Sequence, residues 1–224
     1  MKNLRRNFER YCYVNRNKGI PNLMLYIVLG NAVVYLISAF TGNYVLYNLL
    51  CFNRAAILHG QVWRLITYPL TTLSSNILFM LITLLCYYSL GTAMERQWGT
   101  LKFNLFYLSG VVLMDVYGML FNCQADVYYL NMSLFLGYAT LYPQAQFLLF
   151  FIIPIKMKYM ALFSGALCLI DLLMGGWSTR AAVLLSLANF LLFFGGDFFR
   201  TVKQEIKYHK TRRTWQNQNR SNWR

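Results

Sequence analysis

The chain has 224 residues, 58% of them hydrophobic and only 12% charged. Soluble domains run near roughly 45–50% apolar and 25% charged, so this chain carries more apolar surface than a water-soluble fold of its size can hide. The same numbers exclude disordered, collagen-like and low-complexity chains and leave a polytopic membrane protein. Lysines and arginines number 21 against 7 acids, a net charge of +14. These cations crowd the two ends and leave the centre almost bare, which suits basic ends facing cytoplasm and anionic lipid and argues against nucleic acid as a partner.

The first 21 residues form a basic N-terminal segment with Lys2, Arg5, Arg6, Arg10, Arg16 and Lys18. They contain no short apolar core followed by a small-residue cleavage site, so no removable signal peptide is expected. The membrane domain is placed at 22–199. Residues 19–53, 65–94 and 127–155 carry no Asp, Glu, Lys or Arg, and 103–125 and 159–179 carry one acid each, Asp115 and Asp171. A spanning helix needs about 20 mainly apolar residues. Six helices are therefore predicted, near 22–41, 73–92, 100–121, 127–142, 157–174 and 180–199. The fourth is short, about 16 residues between Asp126 and Pro143, and should sit inside the bundle with little lipid contact. Residues 42–72 make a long first loop rich in Tyr, Leu and Trp, predicted to fold against the membrane surface with an interfacial helix near 44–52 and a turn around Pro69. The run after the fourth span, 147–154, is too short to cross and ends on Pro154, so it is predicted as buried extended chain or an interfacial segment. A basic tail, 200–224, closes the sequence.

Six spans put both ends on one side, where 18 of the 21 cations then fall, against Arg54, Arg64 and Arg180 on the other. That split is a positive-inside signal for a plasma-membrane protein with both termini cytoplasmic. Five spans would separate the two basic ends.

Polar groups inside a bilayer are costly and each asks for a reason. The candidates are Asn31, Ser74, Ser75, Asn76, Asn104, Asp115, Asn131, Ser133, Asp171, Ser186, Asn189 and Asp197. The plain reading of each is a hydrogen bond between helices. Asp115 and Asp171 are sharper, since a carboxylate at depth takes a proton or finds a partner. Gly110, Gly118, Ala161 and Gly165 fit close helix packing. Five cysteines are scattered without a CxxC, and His59 and His209 stand 150 residues apart, so neither a metal site nor a cofactor is expected.

Three features point to a family. One is GQVWRLITYPL at 60–70. The second is Ser75-Asn76 opening the second span, followed by AMERQWGTLKFNLFYLSG at 93–110. The third is the layout of six spans, a long first loop and a short fourth span. Together they resemble the rhomboid family of intramembrane serine proteases over roughly 22–199. Trp63-Arg64 and the E-x-x-W-G run, Glu95, Trp98 and Gly99, carry most of the likeness. The physical expectation for these residues is bracing: Trp63 at headgroup level, Arg64 offering a planar fork of donors to loop carbonyls or phosphates, and Glu95 and Arg96 tying the cytoplasmic loop.

The resemblance implies an all-α bundle and a Ser–His dyad, with the nucleophile in G-x-S-G at the start of span four and the base in span six. It also implies a His at the start of span two, four residues before an Asn, to help bind the oxyanion. Asn76 matches that Asn, but Thr72 stands at the His position, Tyr129 at the nucleophile and Asn189 at the base. Ser133 lies one helical turn past Tyr129 and has no flanking glycines. A serine hydroxyl without a base is a poor nucleophile, and an amide cannot take its proton. The chain is thus expected to be a rhomboid-like pseudoprotease binding transmembrane clients. The alternative is an active intramembrane serine endopeptidase with Ser133 as displaced nucleophile. A third class, a small-solute transporter, would use Asp115 and Asp171, but no inverted repeat or broken-helix pair speaks for it.

Overall fold

The computed structural model describes residues 2–71, 76–123, 127–149 and 153–196. Ten helices occur among them: α1 Lys2–Val14, α2 Leu23–Thr41, α3 Val45–Leu50, α4 Arg54–Leu58, α5 Arg64–Thr67, α6 Ile77–Trp98, α7 Thr100–Phe121, α8 Val127–Leu141, α9 Met157–Met174 and α10 Trp177–Gly196. Two short strands, β1 Gln146–Leu149 and β2 Ile153–Lys156, separate α8 from α9.

Five of these helices, α2, α6, α7, α9 and α10, are long and apolar enough to cross a membrane. Their outer surfaces agree, with Phe40, Leu78, Leu120, Leu162, Leu173 and Leu192 all exposed. An apolar surface this extensive has no place in water. The protein is a multi-pass, mostly helical membrane protein.

The helices pack antiparallel, and named contacts fix which ends meet. At one end, the junction end, the Asn22 amide before α2 donates to Glu95 near the end of α6 (3.0 Å). There too Trp98 stacks on Phe194 of α10 at 4.1 Å between ring centres. Leu90 of α6, Ala139 of α8 and Met157 of α9 share a buried cluster toward the same end. The opposite, loop end carries α3, α4 and α5. α7 is the hub: Phe103, Tyr107, Gly110, Met114 and Tyr117 recur at three- and four-residue spacing and are all buried. Gly118 of α7 lets the ring of Phe52 from the first loop lie directly on its backbone.

A helix lies at each of the six predicted positions, with shifted ends, and five of the six are long enough to cross a membrane. α6 runs on to Trp98 instead of stopping near 92, because Glu95 and Arg96 are engaged within the helix and by neighbouring chain. The predicted start of that span, including Ser74 and Ser75, lies outside the described residues. α10 begins at Trp177, earlier than 180, and Arg180 finds local partners: Nη2 donates to the Leu173 carbonyl (2.9 Å) and the guanidinium sits over the Trp177 ring. Asp197 and the tail 200–224 lie outside the described residues.

α8 is 15 residues long, and of these only Tyr128 is exposed, as expected for a short enclosed helix. The following segment is extended, and its two strands form an antiparallel hairpin with Gln146 opposite Lys156 and Leu149 opposite Ile153. The basic N-terminal segment, read from sequence only as a charged stretch, contains the amphipathic helix α1. Gly165 does not serve close packing; a Cβ there would meet nothing within 4 Å.

Candidate functional site

The first loop is built around Arg64. A six-residue helix such as α3 leaves its last carbonyls without intrahelical donors. Arg64, buried, supplies them: Nη1 donates to the carbonyls of Asn48 (2.6 Å) and Cys51 (2.7 Å), and Nε to the Gln61 side chain (2.8 Å). The Thr67 hydroxyl takes the Leu50 carbonyl (3.0 Å). Arg64 therefore serves loop carbonyls, one of the two roles expected of it. Trp63 beside it is 44% exposed, free to meet headgroups or water. The turn Tyr68–Leu70 then seats on α2, where Asn31 Nδ2 donates to the Pro69 carbonyl (2.9 Å) and Gly30 leaves room for Leu70. Tyr68 is fully buried and donates to the Val111 carbonyl (3.3 Å); burial pushes its hydroxyl pKa up, so it stays a donor.

At the junction end, Glu95, Trp98 and Gly99 act as one clamp. Glu95 Oε1 accepts from the Asn22 amide and the Thr100 hydroxyl (3.1 Å). Trp98 packs edge-on to Phe106 and flat on Phe194, with Lys102 Nζ 4.2 Å from its ring centre. Gly99 has φ +85° and the Arg16 side chain lies where a Cβ would stand. Arg16 Nη2 in turn donates to the Arg96 carbonyl (2.7 Å). The expected tie across this loop thus reaches further, binding the segment before α2 to the turn between α6 and α7.

The positions that the rhomboid resemblance singles out for chemistry come from α6, α8 and α10. Asn76 caps α6, its Oδ1 accepting from the Leu78 amide (2.8 Å). Thr72 lies outside the described residues. Tyr129 is half-buried, and its carbonyl accepts from the Ser186 hydroxyl (2.7 Å), which joins α8 to α10. Ser133 is 1% exposed and its hydroxyl donates to the Leu130 carbonyl in its own helix (2.8 Å). Asn189 is equally buried but looks toward α7: Oδ1 accepts from the Ser109 hydroxyl (2.8 Å), and Nδ2 reaches the Phe106 carbonyl (3.4 Å). Gly110 makes this possible, since a Cβ there would meet Leu130 at 2.6 Å and Asn189 at 2.9 Å.

So α8 and α10 lie side by side, and Ser133, Ser186 and Asn189 are committed to packing. Ser109 is not among the candidates taken from the sequence; its partnership with Asn189 depends on the packing of α7 on α10. Asp115 lies on α7 and Asp171 on α9, two helices with little mutual contact, so no carboxylate pair forms. Asp115 Oδ1 and the Tyr107 hydroxyl are both buried without a hydrogen-bond partner among the described residues. His59 ends α4 in the first loop, away from α8 and α10 in the sequence, and His209 lies outside the described residues. Among the described residues, no three His, Cys, Asp or Glu side chains gather as a metal site would require. Against protein-family models and curated protein sequences the chain finds no match.

Proposed function

We propose that this chain is a rhomboid-like membrane protein of six spans that holds transmembrane client proteins without cleaving them. One observation carries the reading: Asn189 and Ser133, the nearest substitutes for base and nucleophile, each spend their hydrogen bonds on packing, Asn189 on α7 and Ser133 on its own helix. A nucleophilic serine needs a proton acceptor aimed at its oxygen, and an amide bound to another hydroxyl is not one.

In this reading α8 also spans, the fourth in chain order, and brings the count to six. Its 15 residues rise about 22 Å at ~1.5 Å each, short of the ~30 Å hydrocarbon core, which is tolerable because neighbours enclose it. Both chain ends face the cytoplasm of a plasma membrane and their cations meet anionic lipid. The client lies along α6 and α9. These helices both pack on α8 and come together around Leu90 and Met157. Toward the loop end they leave Leu78, Phe79, Leu169, Ile170 and Leu173 exposed. That surface suits an apolar helix.

The test is purified protein in liposomes with a helix-destabilised transmembrane substrate and a fluorophosphonate probe. No cleavage and no labelling are expected, and Ser133→Ala should leave client capture unchanged. Cleavage by the wild type that vanishes in Ser133→Ala would instead establish a serine endopeptidase.

A further inference from the structure

α1 is strongly amphipathic, and its position is fixed by the segment that follows it. The Arg16 carbonyl accepts from the Leu101 amide at the start of α7 (3.3 Å), and the Ile20 carbonyl accepts from Asn104 (3.1 Å). Cys12 is buried at 3% exposure, so one side of α1 is packed on the protein. Because α7 crosses the membrane, its first turn marks the boundary between hydrocarbon and water. α1 is therefore held at headgroup level.

Only part of its surface is used there. Tyr11 and Val14, three residues apart on one face of α1, are 61% and 73% exposed, and Arg6, Arg10, Arg16 and Lys18 are exposed around them. The first 18 residues hold six cations and one acid, Glu9. Aromatic and aliphatic side chains edged by cations at this depth match one partner, a leaflet rich in acidic phospholipid, whose phosphates meet the cations while its upper acyl region receives the apolar edge. Arg16 and Arg96, together with Glu95, also line a cleft of about 580 Å³ in the segment just past α1.

We propose that α1 is an interfacial helix that docks this face of the protein onto acidic phospholipid headgroups. The proposal rests on the membrane reading above, and its test separates the two. The full chain, its native cysteines replaced by alanine, carries one NBD-labelled cysteine at Tyr11→Cys or, as the control, at Leu85→Cys on the exposed side of α6. It is placed in nanodiscs of phosphatidylcholine alone or mixed with phosphatidylglycerol, each containing a doxyl-labelled lipid quencher. Position 85 should be quenched in both. Position 11 should be blue-shifted and quenched with phosphatidylglycerol, less so without it, and should lose most of its quenching when Arg6→Glu and Arg10→Glu are combined. Position 11 unquenched while position 85 is quenched overturns the proposal. So does quenching at 11 that ignores both lipid charge and the charge reversals, which would make α1 an apolar contact without headgroup recognition. An unquenched position 85 overturns the membrane reading itself, and the proposal with it.

Discussion

Asn189 shows how a single side chain can look catalytic in a pattern and be structural in space. It stands where the rhomboid base is expected, yet its Oδ1 accepts a hydrogen bond from Ser109, across a contact that the bare backbone of Gly110 makes short. Such interhelical bonds in a membrane are worth about 0.6–1.7 kcal/mol. A double-mutant cycle of Ser109→Ala and Asn189→Ala, read by thermal unfolding in detergent, should return a coupling in that range. Coupling near zero would mean that Asn189 is not spent on α7. The residue identities alone raised the absence of a base; where Asn189 turns instead depends on the rotation of α10 against α7, which no local pattern encodes. Arg64 was easier to read. Its five donors narrowed the expectation to loop carbonyls or phosphates, and burial beside a short helix leaves the carbonyls.

Among the elements, the turn between α6 and α7 depends most on residue type. Gly99 sits at φ +85° and ψ 158°, backbone that costs a residue with a Cβ about 1–3 kcal/mol, and the Arg16 side chain already fills the space. Gly165 faces nothing inside α9, where exchanging glycine for alanine gains up to about 1 kcal/mol of helix stability. Gly99→Ala should therefore lower the unfolding temperature distinctly, and Gly165→Ala should hold or raise it. Equal effects would sink the distinction. The long helices were legible because charge-free runs of spanning length have few other fates. Their ends were not: Glu95 and Arg180 look like helix stops until Asn22 and the Leu173 carbonyl are found beside them. The hairpin of β1 and β2 was legible only as extended chain, since apolar runs of that length carry no period that reveals a pairing.

At the scale of the whole molecule, the start of α2 and the end of α10 both lie at the junction end, tied through Glu95 and Trp98. With the cation split, this supports the proposed placing of both termini on one side of the membrane. Impermeant thiol reagents applied to intact cells should modify a Gly60→Cys variant in the first loop and spare Ser221→Cys. Modification of the second would require an odd number of crossings. The short α8 lies at the centre of this arrangement, reachable from lipid chiefly at Tyr128.

The hairpin after α8 also bears on where the bilayer ends. Two strands satisfy each other along one edge only, so each keeps an outer row of amides and carbonyls that the fold leaves unpaired within the pair. In hydrocarbon every such group costs several kcal/mol, which no apolar side chain in a run this short repays. The hairpin must therefore lie where water or headgroups reach its edges, although its sequence is among the most apolar in the chain. It works as a depth gauge: the plane through Gln146 and Lys156, both exposed, lies on the wet side of the boundary, and the paired strands float at the membrane's surface instead of anchoring within it.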